Sequence, residues 1–499
     1  MNGSAESRKR TLANLTNEKR EELLRTLRFD SGLAEQTNPA SIFPVPEHIR
    51  ALEPEVALII GDRGAGKTQL KRALVENEVR EALLRFAPGV KGPAGRATWL
   101  DGWPLGTAGP DGVGWRSVAT GPATDGRDLW MALLVRAAAN GGLLDAASLS
   151  PVIAPPGANA AEILAGYRQV ATEVTSSLDA LDARLAREEK WVFVAYDELD
   201  VLAPQDWDGM RFALRGLVSF WASYARRWRR LRPKVFLRSD FYKHHRDVAG
   251  ADVAKLGANR VELVWSDKSL YGALIKHIMN KRAADDADKS ATLVTHLQKT
   301  IECTIDPVLG AIPRLGSAND AKPFVERLVD RYMGANSQKG LAFRWILDHL
   351  RDGNDRALPR SLMRLIEFAA QEELERGKAK GAHLLHHTSV RRALDKVSEE
   401  HVSQAMTHEL RWLRGLKERL RPDREVPWTR RELIKLLGKN FAGEWSDEGH
   451  RPPGNDSDEL LTSLLELGVV RARSKDDFDV PDLYLHGLEL LRRGGVARK

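Results

Sequence analysis

The stretch Gly61-Asp62-Arg63-Gly64-Ala65-Gly66-Lys67-Thr68 constrains this chain more than any other. It reads G-x-x-x-x-G-K-T, the pattern of a phosphate-binding loop. The preceding run, Val56 to Ile60, is unbroken and apolar, as a buried parallel strand is. After it, Gln69 to Glu81 places Leu70, Ala73 and Leu74 at helical spacing. The pattern requires that strand and that helix. Glycines let the backbone curl until several N–H groups aim at one anion. The helix start adds its positive dipole end. The reading assigns Gly61, Asp62, Arg63, Gly64, Ala65, Gly66, Lys67, Thr68 and Gln69 to nucleotide phosphates. Lys67 would reach the β- and γ-phosphates, and the Thr68 hydroxyl would face Mg²⁺. ATP and Mg²⁺ are therefore the expected ligands. A glycine-rich turn with no ligand is the bland alternative.

A site of this kind needs a carboxylate at the end of a second buried strand. Trp191-Val192-Phe193-Val194-Ala195-Tyr196 is apolar and rich in β-formers, and Asp197-Glu198-Leu199-Asp200 follows at once. Asp197 would hold Mg²⁺ through water, and Glu198 would orient or deprotonate an attacking water. The alternative is a strand that happens to end in an acidic turn.

At 499 residues the chain has room for two or three domains, and 42% hydrophobic content is globular. A net charge of +7 is compatible with a polyanionic partner without demanding one. One cysteine, Cys303, excludes a disulfide framework and a thiolate metal site within one chain. No run of eighteen apolar residues and no apolar signal core are present, so no membrane span and a cytoplasmic location are expected.

In chain order, residues 1–48 read as an N-terminal extension, with a short helix from Thr16 to Arg28. A core domain spans 49–282. Within it Ala97 to Leu100 is a strand, Gly102 to Gly126 a long loop, and Leu129 to Ala139 a helix. Ala160 to Glu188 reads as one amphipathic helix. A helix from Asp206 to Leu231 ends in Arg226, Arg227, Arg229, Arg230 and Arg232. Lys234 to Leu237 and Val261 to Trp265 are strands, and Asp267 caps the next helix. Residues 283–400 read as an almost wholly helical lid. Residues 401–499 read as one helix, His401 to Leu420, followed by a winged helix. Its parts are the helices Thr429–Leu437 and Asp456–Leu467 and a strand pair within Val469–Val480.

The order of these segments resembles AAA+-type ATPases, nearest the branch that holds the origin-recognition/Cdc6 proteins and the STAND signalling ATPases. The resemblance covers residues 49–400. It is carried by Gly61–Thr68, Asp197-Glu198-Leu199-Asp200, Val235-Phe236-Leu237-Arg238-Ser239-Asp240 and Leu358-Pro359-Arg360-Ser361. It implies an α/β fold: a P-loop NTPase parallel sheet with flanking helices, a helical lid and a C-terminal winged helix. It further implies Mg²⁺-dependent ATP hydrolysis with three catalytic residues, Glu198, Arg238 at the sensor 1 position and Arg360 at sensor 2. Arg356 competes for the last role. An arginine at sensor 1 departs from the origin-recognition pattern, where a neutral polar residue is usual, and is nearer the STAND style. The resemblance implies a homo-oligomer, since one protomer's arginine completes a neighbour's site. By analogy with bacterial phage-defence ATPases it implies a separate effector protein, because no nuclease, protease or deaminase motif is present.

Three functions remain open at this level. The first is an ATPase that couples hydrolysis to assembly or partner recruitment. The second is a nucleotide-gated module that does not hydrolyse, and the third is a DNA-binding initiator or loader. Helix Asp456–Leu467 carries Asp456, Asp458, Glu459 and Glu466 and no basic residue, which suits a major groove poorly. Arg411, Arg414, Lys417, Arg419, Arg421, Arg424, Arg430, Arg431 and Lys435 precede it and suit a phosphate backbone without sequence readout. Arg226 to Arg232 could supply an arginine in trans or simply end a helix. His383, His386 and His387, and the pair His244-His245, lack a Cys or carboxylate at metal-ligand spacing in the sequence. Cys303 reads as a buried core residue.

Overall fold

The computed structural model describes residues 17–29, 38–93, 96–105, 118, 121–153, 158–199, 202, 207–242, 256–280, 301–377, 383–438 and 452–493. The chain forms two compact units, Pro44–Val264 and residues 1–43 with Trp265–Lys499. Helix α1 (Asn17–Thr26) belongs to the second.

The first unit is an α/β layer structure around a parallel five-stranded sheet. Its strands are β1 (Leu58–Gly61), β2 (Ala97–Trp103), β3 (Trp191–Tyr196), β4 (Leu231–Arg238) and β5 (Val261–Glu262), in the order β2-β3-β4-β1-β5. All pairings are parallel, so every strand ends at the same edge. Strand β1 is buried throughout and β3 nearly so, which is why both read as continuous apolar runs. The flanking helices are α2 (Lys67–Val75), α3 (Asn77–Arg85), α4 (Ala123–Asn140), α5 (Ala160–Gln169), α6 (Ala171–Arg187) and α7 (Trp207–Tyr224). Helices α4 and α7 approach closely. A Cβ on Gly216 would lie 2.6 Å from the Gly126 backbone, and Trp130 Nε1 donates to Ala213 O at 2.7 Å.

Three segments in this unit differ from the sequence reading. The helix after the loop breaks at Glu76 (φ −75°, ψ 120°), where Arg80 donates to Leu74 O at 2.7 Å and Val75 O at 3.1 Å. Those carbonyls are thus satisfied without a further helical turn. The helix expected over Ala160–Glu188 divides at Val170 (φ −131°, ψ 28°) into α5 and α6. The helix expected to reach Leu231 stops at Tyr224, and Leu231 opens β4. Trp228 stacks on Tyr224 at 4.7 Å and packs on Trp221, so the apolar stripe continues although the helix does not. The Asp182 carboxylate accepts the N–H groups of Arg229, Arg230 and Leu231 at 2.7–3.0 Å and leads the chain into the sheet. Of the long loop, Gly102 and Trp103 belong to β2. Residues 106–117, Asp200 and His244-His245 lie outside the described residues.

The second unit is mainly helical: α8 (Asp267–Asn280), α9 (Lys322–Leu328), α10 (Ala342–Leu350), α11 (Pro359–Arg376), α12 (His387–Gln404), α13 (Leu413–Leu420), α14 (Arg430–Leu437) and α15 (Ser457–Glu466). Helix α1 contributes Leu23 and Leu24 to its core, and Leu27 follows them from the turn after it. Asp267 begins α8 instead of capping it. Ser266 Oγ accepts Ser269 N–H, and Asp267 pairs with Arg351. The stretch read as helix around Pro307 and Pro313 is a hairpin, β6 (Cys303–Asp306) and β7 (Gly310–Pro313). Asp306 Oδ1 accepts the N–H groups of Val308 and Leu309, and Gly310 takes φ 74°, which together make the turn. Cys303 on β6 is half-buried, its Sγ 3.6 Å from Met279 Sδ. His401 to Leu420 is not one helix. After α12 come a π-turn over Ala405–Glu409 and Leu410, which leaves helical geometry (φ −124°, ψ 62°), and then α13.

The C-terminal elements have winged-helix order. Strands β8 (Glu425–Val426) and β9 (Trp428–Thr429) precede α14. After α15 come β10 (Arg471–Ala472) and β11 (Asp477–Asp479), and β12 (Leu491–Arg492) pairs with β8. The wing sheet has the order β10-β11-β9. Thr429 and Glu432 form a capping box at α14, and Asp456 caps α15. No helix of the described residues is long and apolar enough to cross a membrane.

Candidate active site

The site lies where β1, β3 and β4 end together. Strand β1 runs into Gly61. A Cβ there would meet Leu263 Cβ at 3.1 Å and Ala65 Cβ at 3.2 Å, so glycine is the residue that fits. Gly64 (φ 85°) and Gly66 (φ 96°) take left-handed backbone, where side chains are strained. Helix α2 starts on Gly66 with no side-chain cap. Its N-cap is a glycine with no side chain of its own to cap the first N–H groups, which suits a helix start that binds an anion. Thr68 sits on the first turn of α2. Lys67 Nζ donates to Gly61 O at 2.8 Å and Asp62 O at 3.1 Å.

The register of the sheet brings the other groups in. Arg238 pairs directly with Gly61 across β4 and β1. It is 6% exposed, forks onto Asp240 at 3.0 and 2.5 Å, and lies 4.6 Å over the Phe241 ring. Ser239 donates its hydroxyl to Asp62 within the loop, tying the end of β4 to the phosphate loop. On the next strand, Asp197 follows β3, its N–H donating to Trp103 O at 3.0 Å. Its carboxylate is 3% exposed. Glu198 is exposed and holds φ 52°, a left-handed conformation that costs a non-glycine residue about 1–2 kcal/mol. Such strain sits where a side chain must be aimed.

Electrostatically these residues form one group. Burial lowers the Lys67 pKa first, and the Arg238 charge lowers it further. Asp197, Asp240 and Asp62 oppose the shift. A lysine whose strongest polar contacts are two carbonyls, with an arginine beside it, is poised for a polyanion. Mg²⁺ suits the opposite side. Asp197 and Thr68 supply the hard oxygen donors it takes. Among the described residues neither the buried Asp197 carboxylate nor the Thr68 hydroxyl has a side-chain hydrogen-bond partner.

The first unit therefore brings together Lys67, Thr68, Asp197, Glu198 and Arg238. Arg360 opens α11 in the second unit, next to Pro359, and Arg356 lies four residues earlier. Sequence reasoning passed over Ser239 and Asp240 as functional side chains. The signal was present, since a polar pair follows directly on an apolar strand.

The other candidates take different places. Arg226 to Arg232 lie at the opposite edge of the sheet, where β4 begins. Arg227 forks onto Asp179 at 2.8 and 2.5 Å, Arg232 donates to Arg229 O, and Arg230 lies 4.6 Å over the Trp191 ring. On the winged helix, Lys417 pairs with Glu489, Arg421 with Glu418, Arg424 with Glu489 and Arg430 with Asp458, while Arg419 donates to Leu437 O. Asp458 and Glu459 of α15 are exposed.

No family model matches this chain and no curated protein matches it. Among solved structures it is similar to the Aeropyrum pernix ORC2 protein in its ADPNP–ADP complexes (16% identity, 93% of this chain and 98% of that one, TM-score 0.31). It is similar also to Cdc6p from Pyrobaculum aerophilum (12% identity, 97% and 96%, TM-score 0.30). A third is the Aeropyrum pernix ORC1 protein in complex with DNA (14% identity, 95% and 97%, TM-score 0.36).

Proposed function

We propose that this chain binds ATP with Mg²⁺ and hydrolyses it, using the nucleotide state to control assembly or recruitment of a partner. The observation that carries this reading is the convergence at one sheet edge of the glycine loop, Lys67, Arg238 and the buried Asp197 carboxylate, which has no side-chain hydrogen bond among the described residues. In it, backbone N–H groups of Gly64 to Thr68 hold the phosphates and Lys67 adds charge between them. Thr68 and Asp197 hold Mg²⁺, which supplies Lewis-acid stabilisation of phosphate charge when bound. Glu198 orients water and Arg238 senses the terminal phosphate, while Arg360 keeps the sensor 2 role that the resemblance implies. Nucleotide would compete with Gly61 O and Asp62 O for Lys67 and with Asp240 for Arg238.

The test uses a fluorescent ATP analogue and phosphate release. Lys67→Ala removes a charge-assisted contact worth about 1.5–3 kcal/mol, so affinity falls about 10–150-fold. Wild-type affinity in that variant would remove the site. Glu198→Gln should bind ATP normally and stall turnover. Unchanged function with no measurable turnover in either protein would favour the non-hydrolysing switch.

The winged helix enters this reading as a protein-binding element, because α15 presents carboxylates and much of the preceding basic run is internally paired. Duplex binding that is salt-dependent and tight at low salt would restore a DNA-binding initiator or loader. The homo-oligomer and the separate effector, including a role in antiviral defence, belong to the same reading. Sedimentation with a non-hydrolysable analogue tests the first, and co-purification the second.

A further inference from the structure

Helix α9 ends at Leu328, and the chain then runs alongside the residues that open α12. Leu385 N donates to Leu328 O at 2.8 Å and Asp330 N to Leu385 O at 3.2 Å, with a parallel bridge between Val329 and Leu385. That short ladder carries Asp330 to His386 and His387, which are more than fifty positions away in sequence. Asp330 Oδ2 lies 2.9 Å from His387 Nδ1 and 3.6 Å from His386 Nε2. The carboxylate oxygen and the two ring nitrogens all lie within 4.8 Å of one another.

The surroundings hold both rings in place. His386 N donates to Glu373 Oε1 and His387 N to Asp330 Oδ2, each at 2.9 Å. His386 Nδ1 faces Thr388 Oγ1 at 2.8 Å, and Arg376 donates to that same oxygen. Turning Nδ1 to Thr388 turns Nε2 to Asp330. A partner on the far nitrogen is the usual device for orienting a metal-binding imidazole. Simple capping of α12 by Asp330 accounts for the His387 contacts. His386 caps the same helix with its own ring, Nδ1 accepting the Thr388 N–H at 3.3 Å, and that pose brings Nε2 to the same Asp330 oxygen, so all three ligand atoms converge at the helix start.

We propose that Asp330, His386 and His387 form a binding site for a divalent transition cation of the Zn²⁺ class, with a remaining position open to water. Two imidazoles and one carboxylate match the ligand preferences of that class, and no thiolate is near to select a softer ion. Zinc bonds of roughly 2.0–2.2 Å place neighbouring ligand atoms about 3.3 Å apart. The 2.9 and 3.6 Å separations from Asp330 bracket that value, and the two ring nitrogens, within 4.8 Å of each other, would close on the ion by side-chain rotation. Binding requires His386 Nε2 and His387 Nδ1 to be unprotonated, so the His386 proton moves to Nδ1 toward Thr388 Oγ1 and the ring gives up the Thr388 N–H that Nδ1 otherwise accepts at 3.3 Å. Glu373 adds negative charge nearby, while Arg376 and Arg20 add positive charge. The cation would fasten the 329–330 segment to the start of α12 within the second unit.

The experiment titrates Zn²⁺ into the chelator-treated full chain, followed by calorimetry and by thermal unfolding. Co²⁺ serves as the optical probe. The expected result is one ion per chain, a raised unfolding midpoint, and visible Co²⁺ bands of low coordination. His386→Gln should weaken affinity about 10–100-fold. His387→Gln should do the same, and His383→Gln should leave affinity unchanged. Circular dichroism checks each variant. If His387→Gln fails to fold, His386→Gln decides, its Gln oxygen being able to accept the Thr388 N–H that His386 Nδ1 accepts at the start of α12. Absence of a Zn²⁺-dependent midpoint in the wild type, or wild-type affinity in His386→Gln, overturns the proposal. Nucleotide binding is read separately, so failure here leaves the phosphate-loop site standing.

Discussion

Two sets of consecutive backbone N–H groups sit at opposite edges of the same sheet. At the edge where β4 begins, the N–H groups of Arg229, Arg230 and Leu231 close on the Asp182 carboxylate. At the edge where β1 ends, the N–H groups at the start of α2 meet no side-chain cap. The physics is the same in both, since converging N–H dipoles favour an anion. The protein fills the first with its own carboxylate, and the second begins on a glycine that supplies no cap. Charge alone does not distinguish the two edges. Arg226 to Arg232 is the denser cationic run, yet it is tied down by Asp179, Asp182 and backbone carbonyls. The edge that suits a ligand is distinguished by polar groups without side-chain hydrogen bonds among the described residues, the buried Asp197 carboxylate among them.

The largest effect should come from emptying the filled set. Asp182→Ala leaves three N–H groups without their charged acceptor, and stability should fall by about 3 kcal/mol. Urea denaturation measures it. A loss under about 1 kcal/mol would mean that water replaces the carboxylate and that the first set is not structural. Nucleotide affinity of the folded fraction should not change.

A smaller effect is expected at the open set. A Cβ on Gly66 meets only Gln69 Oε1, at 4.0 Å, so Gly66→Ala introduces no clash. Its cost is the left-handed backbone alone, about 1–2 kcal/mol. The variant should either lose that stability or relax the loop and lose ATP affinity. Unfolding and nucleotide titration of the same sample separate the two. If neither changes, the loop does not hold the φ of 96° that aims its N–H groups.

Much of this was legible because the relevant signals are local. Strand β3 coincides with its apolar run, and the loop sits between strand and helix as its glycines require. The misread segments share a cause of another kind. Helical periodicity ran through Val170 and through Trp228, because side chains at those positions still pack on the helix face after the backbone has left it. Arg80 ends α2 from six residues beyond Leu74, and propensity does not register that. The hairpin β6–β7 was hidden by prolines that break a helix and a turn alike. Asp330 meets His386 and His387 only through a tertiary ladder. For Arg360 the sequence offers a helix start beside a proline, and the structure places it there.

The smallest effect concerns a helix start that is closed, α15. Asp456 Oδ1 accepts the N–H groups of Asp458 and Glu459 at 3.0 and 2.9 Å, and those two carboxylates share the first turn. Asp456→Ala removes the cap and should cost about 1 kcal/mol. It should not create an anion site, because Asp458 and Glu459 still place negative charge at the positive end of the dipole. Anisotropy titrations of Asp456→Ala with a labelled duplex, at low and moderate salt, give the reading. Unchanged affinity keeps the contrast with α2, where Gly66 offers no acceptor of its own. A salt-dependent gain in the variant would mean that a single capping carboxylate was all that excluded phosphate from α15. The two helix starts would then differ by one residue and not by design of the surrounding charge.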